Sequence, residues 1–473
     1  MKYLIAFGIV LFSLKAQAQQ DFIVKPYLQI GKEPSSTSMD LLWHTLDEAA
    51  DWTVDIKTPA DKAWVSAFKI SFTPVAIAGI NKFRVYKAQI NNLVAGKTFE
   101  YRVSKNGKTV FTDISKAPKS YDQPFRFVTS GDMGAGTKEA KQIANGIYKV
   151  NPDFVAIAGD LVYEYGLISE YKTKFWPIYN ADKADSVGVP LMRSVPFIGA
   201  MGNHDADSRD LDQHPDALAY YLFWDQPING PVGNEGGKFV PLLKGSEANS
   251  KAFKDAAGDK YPRMANFSFN YGNSHWTILD SDTYVEWADS SLTAWVARDL
   301  ADSKDATWHF VMYHHPGFHS SVDHFEQQQM RLLAPVLEKG NVDIVFSGHV
   351  HNYERTFPMH FAPDKKGVLL VGGKENKTIR GRMVNGRWTL DKKFDGKINT
   401  IPRGVIYMVT GAGGQELYNP EQENDPDTWQ KFTVKFISTV HTFTVADVNG
   451  KKLTIRQLNA SGKEMDKFTI TKN

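Results

Sequence analysis

The chain has 473 residues, 42% of them hydrophobic and 23% charged, with a formal net charge of +2 and no cysteine. That length exceeds what one core usually serves, so two domains are expected. The small net charge, without a long charge run, argues against a nucleic-acid surface or a polybasic membrane patch, and the lack of cysteine excludes disulfides, thiolate metal sites and cysteine lipidation.

The N-terminus combines a short positive start, Met1-Lys2, with an apolar stretch from Leu4 to Leu14 and the A-x-A sequence Ala16-Gln17-Ala18. This is the pattern of a cleavable signal peptide over 1–18, with the mature chain starting at Gln19 or Gln20. The apolar run is too short to span a bilayer comfortably, and no later segment offers a spanning helix. An exported chain without cysteine suits a bacterial periplasmic or secreted protein.

Residues 21–119 read as all β. Met39, Leu41 and Trp43 alternate with Ser38, Asp40 and Leu42, a half-buried strand pattern, and Phe99-Glu100-Tyr101-Arg102-Val103 follows the turn signal Ala95-Gly96. Strands at this spacing suggest a β-sandwich of immunoglobulin type. Leu93 to Tyr101 resembles the tyrosine-corner region of fibronectin type III domains. Lys116 to Ser120 reads as the linker to a second domain over 122–473.

That domain alternates strands, glycine-containing loops and helices. Phe125 to Ser130 is a strand, Thr137 to Val150 carries Ala140, Ile143, Ile147 and Val150 on one helical face, and Phe154 to Ala158 is a strand apolar on both faces. Val195 to Ala200, Trp308 to Tyr313, Val342 to Phe346 and Val405 to Thr410 repeat the strand theme, and Asp323 to Lys339 is expected to be helical. Ala206 to Arg263 and Lys365 to Arg403 are long, polar and glycine-rich and read as loops, the first as a rim over a site or a solvated insertion. Asn449-Gly450 marks a C-terminal hairpin between His441 to Val445 and Leu453 to Arg456, expected to complete a sheet of this domain.

Five short stretches follow strands in order: Gly131-Asp132-Met133-Gly134, Gly159-Asp160-Leu161-Val162-Tyr163, Gly202-Asn203-His204-Asp205, Val311-Met312-Tyr313-His314-His315 and Gly348-His349-Val350-His351. Ligands in open α/β sheets bind beyond the carboxyl ends of strands, where all five stretches lie. Two metals roughly 3.5–4 Å apart lower the pKa of a bound water, clamp phosphate oxygens and neutralise charge in an in-line displacement. Asp suits a bridge between them, His and Asn suit a divalent ion, and a phenolate suits a hard ferric ion. Taken singly, Asp132 and Asp205 would be turn or helix-cap residues and Tyr163 a core or rim aromatic. His315 either orients a neighbour through its second nitrogen or is a plain loop histidine. Asp280 and Asp282 read as structural, Gly411 to Gly414 as a tight loop, and Tyr353, Glu354 and Arg355 as braces for the His349–His351 loop.

The ordered set resembles the metallophosphoesterase superfamily, and Tyr163, three residues after Asp160, narrows the resemblance to the purple acid phosphatase family. Gly348 to Arg355, Phe267 to Gly272 with Leu279-Asp280-Ser281, and the N-terminal sandwich fit the same pattern, so the resemblance covers nearly the whole mature chain. It implies an α/β (α+β) metallophosphoesterase sandwich, mixed sheets flanked by helices, behind an all-β fibronectin type III-like sandwich. Asp132, Tyr163 and His351 would bind a ferric ion. Asp160 would bridge, and Asn203, His314 and His349 would bind a divalent iron, zinc or manganese. A metal-bound hydroxide would attack phosphorus directly, without a phosphoenzyme. His204 would bind the phosphate and help stabilise the leaving oxygen. His324 would be the acid, with His319 its competitor. If Tyr163 is not a ligand, the chain is a two-metal phosphoesterase without ferric chemistry. The expected substrate is a phosphorylated small molecule. The alternatives are a phosphodiesterase or nucleotidase on the same scaffold, or a binding module whose α/β domain is inactive; the latter would be expected to lack a ligand, and none is missing.

Overall fold

The computed structural model describes residues 21–66, 69–372 and 379–473. The expected signal peptide over 1–18 lies outside the described residues. No helix among the described residues is long and apolar enough to cross a membrane.

The N-terminal strands are β1 Val24–Gln29, β2 Met39–Leu46, β3 Trp52–Lys57, β4 Val65–Ser66, β5 Ile70–Val75, β6 Phe83–Ile90, β7 Thr98–Lys105 and β8 Lys108–Lys116. They form two antiparallel sheets, ordered β1-β2-β6-β5 and β4-β3-β7-β8. Between them lie Met39, Leu41, Trp43, Val54, Tyr86, Phe99 and Val103. β2 departs from the half-buried pattern, since every residue from Met39 to Thr45 is buried. Its second face is covered by the next domain: Tyr27, Leu42, Phe83 and Val85 share one core with Trp176, Met192 and Phe223. The resemblance to a tyrosine corner also takes a different form. The Tyr101 hydroxyl donates to the carbonyl of Arg193 at 2.7 Å, tying the sandwich to the second domain.

The second domain packs two sheets face to face. One contains β9 Phe125–Ser130, β10 Phe154–Ile157, β11 Phe197–Gly199, and the C-terminal meander β21 Thr442–Asn449, β22 Lys452–Asn459 and β23 Glu464–Thr471, in the order β11-β10-β9-β21-β22-β23. β9, β10 and β11 are parallel, and β21 pairs antiparallel with β9, so the hairpin at Asn449-Gly450 does complete this sheet. The other sheet contains β12 Phe267–Tyr271, β13 Ser274–Ile278, β14 Trp308–Met312, β15 Ile344–Ser347, β16 Tyr353–Thr356, β19 Ile406–Thr410 and β20 Thr433–Ile437, with β13, β14, β15 and β19 parallel. Aromatic side chains weld the sheets: Phe127 of β9 meets Trp276 edge-on at 4.9 Å and Phe310 at 5.4 Å. The helix Lys138–Val150 starts at Thr137, whose hydroxyl accepts from Ala140 N, and buries Ala140, Ile143 and Ile147.

Three expectations change. Lys365 to Arg403 is not a loop throughout. Much of it belongs to a long antiparallel hairpin of β17 Met359–Gly372 and β18 Ile379–Leu390, whose exposed arm leaves little apolar periodicity to read. Asp323 to Lys339 is helical only in its second half, as a short 3-10 turn, Gln329–Leu333, followed by the helix Ala334–Lys339. Ala206 to Arg263 is not simply a solvated insertion, because Ala217 to Gln226 is buried and the helix Glu247–Ala257 packs there through Phe253.

Candidate metal centre

The carboxyl ends of β9, β10, β11, β14 and β15 converge at one edge of the paired sheets. There the backbone turns sharply. Asp132, Asp160 and His349 adopt left-handed φ values of 59°, 54° and 65°, which costs energy in a non-glycine residue and marks turns held by their surroundings. The glycines of these stretches are contact points. A Cβ at Gly134 would collide with the carbonyl of Leu161, and one at Gly202 with the backbone nitrogen of Asp160. The loops are thus stacked backbone on backbone, which brings their side chains together.

Asp132, Asp160 and His314 each place a ligand atom within 4.8 Å of the others'. Around Asp132, Tyr163 Oη lies 3.0 Å from Oδ1 and His351 Nε2 lies 3.4 Å from the same oxygen. Tyr163 Oη and His351 Nε2 are 3.5 Å apart. Around His314, Nε2 lies 3.2 Å from Asp160 Oδ1 and 3.0 Å from Asn203 Oδ1. His349 meets the His314 ring at 5.0 Å between centroids, and its backbone N–H donates to the Asp132 carboxylate at 2.9 Å.

These spacings fit cations. Donor atoms about 3.0–3.5 Å apart are neighbours around one ion when bonds to it are about 2.0–2.2 Å long. The imidazoles are aimed for it as well. His314 Nδ1 lies 2.8 Å from the Ala158 carbonyl and His351 Nδ1 lies 2.7 Å from the Glu416 carbonyl. A carbonyl can only accept, so both protons stand on Nδ1 in the neutral rings and both Nε2 lone pairs face the cluster.

The electrostatics agree. Burial works against charge on both His314 and Asp160, but their mutual attraction outweighs it. The His314 ring is pushed up to about 10, and the Asp160 carboxyl is held below the usual carboxylate range. Without a cation this is a buried ion pair, and a cation would take the proton's place on His314. Burial pushes His349 well below its usual value, with His315 and His324 adding to it, so its ring is neutral, as a ligand must be. Burial pushes the Tyr163 phenol well above its usual value, reinforced by Asp132 and Asp160. A phenol held this high gives up its proton only to a strong Lewis acid.

Of the other expected residues, His204 lies tilted against Tyr163 with ring centroids 4.4 Å apart, accepts nothing at Nδ1 because that atom faces the Glu164 carbonyl at 2.8 Å, and donates its backbone N–H to Asp160 Oδ1. His324 sits 4.2 Å from the His349 ring. His319 lies apart from this cluster; it is 1% exposed, packs on Phe325, and burial pushes it down to about 3. His315 packs 4.1 Å from His349 and lies 3.2 Å from the Ser281 hydroxyl through Nδ1. Glu354 takes the backbone N–H groups of Ser320 and Ser321 and the Asn352 amide, while Tyr353 and Arg355 hold Asp466, so this triplet does brace the surrounding loops.

Three contributors escaped the sequence. Asp205 is no simple turn residue, since its fully buried carboxylate accepts from Leu161, Val162 and Gly202 and locks two ligand loops to each other. Tyr418 stacks flat on His351 at 4.1 Å. Gln327 accepts from His349 Nε2 at 2.7 Å. Asp205 stands inside a recognised stretch and could have been found there; Tyr418 and Gln327 lie in loops with no pattern of their own.

Comparison with known proteins gives the following. Residues 125–353 match the calcineurin-like phosphoesterase family. A probable inactive purple acid phosphatase 27 of Arabidopsis thaliana is 25% identical over 354 residues, covering 66% of this chain and 52% of that protein. Purple acid phosphatase 22 of the same plant is 25% identical over 276 residues, covering 58% and 54%. The matched region thus spans about half the length of these relatives. Among solved structures, purple acid phosphatase PPD1 of yellow lupin, Lupinus luteus, superposes with a TM-score of 0.63 at 17% identity, over 94% of this chain and 74% of that one. PhoD superposes with a TM-score of 0.56 at 10% identity, over 96% and 94%. At these identities the likeness is one of fold.

Proposed function

We propose that this chain, which carries a metallophosphoesterase domain and has purple acid phosphatase homologues, is an exported phosphatase that hydrolyses small-molecule phosphate monoesters at a two-metal site. The observation that carries this reading is the set of interlocked donor contacts linking Asp132, Tyr163 and His351 to one another and His314 to both Asp160 and Asn203. In this reading the first three hold a ferric ion. Asn203, His314 and His349 hold a divalent iron, zinc or manganese, and Asp160 lies between. Bound there, such a pair supplies Lewis acidity, a nucleophile at acid to neutral pH, and neutralisation of phosphoryl charge.

The chain's own residues do the rest. Protonated His204 donates through Nδ1 to the Glu164 carbonyl, with the Glu164 carboxylate 3.7 Å away, and offers Nε2–H to a phosphoryl oxygen. His324, at the rim beside His349, gives its proton to the leaving oxygen. The burial and low basicity of His319 favour His324 over it for this role. The names of two relatives, probable inactive purple acid phosphatases 27 and 24 of Arabidopsis thaliana, carry the word inactive. Turnover here is supported by the complete donor set and by imidazole protons already turned away from it. Export rests on the Met1 to Ala18 pattern.

The test is hydrolysis of p-nitrophenyl phosphate and bis-p-nitrophenyl phosphate side by side, from acid to neutral pH, on purified mature protein with its metals counted. Monoester turnover with two metals bound is expected. Preference for the diester would make the chain a phosphodiesterase, and no turnover at full loading would reject hydrolysis of either ester.

A further inference from the structure

Gln327 touches two histidines at once. Its Oε1 lies 2.7 Å from His349 Nε2, and its Nε2 lies 3.3 Å from His324 Nδ1. A carboxamide has one accepting end and one donating end, and these ends do not exchange roles. Acceptance at Oε1 requires the proton of His349 to stand on Nε2, which leaves Nδ1 as the lone pair a cation can use. Donation from the NH₂ group requires a lone pair at His324 Nδ1, which puts the proton of the neutral His324 ring on Nε2. The opposite amide orientation would reverse both rings, closing His349 Nδ1 to a cation.

The surroundings hold the turn that carries the amide. The Gln327 backbone N–H donates to the His324 carbonyl at 2.8 Å, and His324 itself sits at a left-handed φ of 59°. The arm of β18 clamps the same turn: Gln328 N donates to Arg382 O at 2.9 Å, Arg382 N to Glu326 O at 2.6 Å, and Val384 N to Gln328 Oε1 at 3.2 Å. The β17–β18 hairpin, which had no part in the site so far, therefore fixes the turn that carries both His324 and Gln327.

We propose that Gln327 is a positioning residue whose single amide sets the ring proton of a metal ligand and that of the neutral His324 ring together. Its consequences for hydrolysis rest on the phosphatase reading; the proton positions do not. Partners of metal-bound histidines typically change metal affinity or activity about 10–100-fold when removed.

The experiment is nitrogen NMR of the zinc-loaded, diamagnetic full-length mature protein with ¹⁵N-labelled histidine, comparing wild type with Gln327→Leu. Wild type is expected to carry the ring proton on Nε2 in both His349 and His324. The variant is expected to lose both preferences and to bind zinc about 10–100-fold more weakly. A wild-type His324 proton on Nδ1 overturns the proposal, and does so even if the variant fails to fold. Unchanged tautomers or unchanged zinc affinity in the variant also overturn it. If wild type shows these ring protons but hydrolyses no ester, the phosphatase reading falls and the tautomer assignment stands.

Discussion

Tyr163 is the residue on which the ferric reading turns. Its hydroxyl is buried, 3.0 Å from Asp132 and 3.5 Å from His351, and deprotonating it there is costly without a strong Lewis acid. Replacing Tyr163 with Phe removes one hydroxyl from a packed site and should cost about 1 kcal/mol of stability. It should also abolish any visible phenolate-to-iron charge-transfer band in iron-loaded protein. An unchanged absorption spectrum would mean that Tyr163 is not on iron. Tyr163 was singled out in the sequence only through the resemblance of Gly159-Asp160-x-x-Tyr163 to a family motif; taken alone it read as a core or rim aromatic. What aims the ligands was not legible. The carbonyls of Ala158 and Glu416 are backbone groups, anonymous in any sequence, and they stand 156 and 65 residues from the histidines they orient. Gln327 was hidden for a related reason, since nothing in the polar run Glu326-Gln327-Gln328-Gln329 sets one glutamine apart from its neighbours.

At the scale of elements, β2 is the instructive case. Alternation of apolar and polar residues implies one wet face, and the strand was read that way. Yet Leu42 and His44 are as buried as Leu41 and Trp43, because the face that would be wet in an isolated sandwich packs on the next domain. Burying a side chain such as Leu42 is worth about 1.5–3 kcal/mol. His44 has a cost attached. It sits among Phe83, Trp176 and Phe223, bonded through Nε2 to the Tyr27 hydroxyl at 3.0 Å, and burial holds its pKa well below the usual 6.5, with Lys172 and Lys260 adding to the depression. A depressed folded-state value means stability that is full above about pH 6.5 and is lost as pH falls toward the folded-state value, with a slope of at most about 1.4 kcal/mol per pH unit for one proton. Thermal melts between pH 7.5 and 5 should therefore show wild type losing stability faster than His44→Phe, in which Tyr27 keeps its bond to the Phe223 carbonyl. Parallel curves would show that folding does not depress the His44 pKa.

Over the whole molecule, the sandwich and the sheets of the second domain share buried core. Tyr27, Leu42, Phe83 and Val85 are common to both, and Tyr101, Ser115 and Lys87 add polar ties to Arg193, Ser194 and Asp225. Some of these partners lie close in sequence to the site: Arg193 and Ser194 precede β11, whose end leads to Asn203 and His204. The order of strands and candidate ligands was readable from the sequence, since four of the five strands are followed by a glycine and a donor residue and the fifth, β14, by Tyr313-His314. The welding of the domains was not, because it depends on which face of a strand another element covers. If Asp160 links two metal sites that act as one, a count of metals per chain and p-nitrophenyl phosphate turnover in wild type and Asp160→Asn will show it. Wild type should carry two metals with turnover, and the variant should lose metal and at least about 100-fold of turnover together. Two metals and full turnover in Asp160→Asn would contradict it.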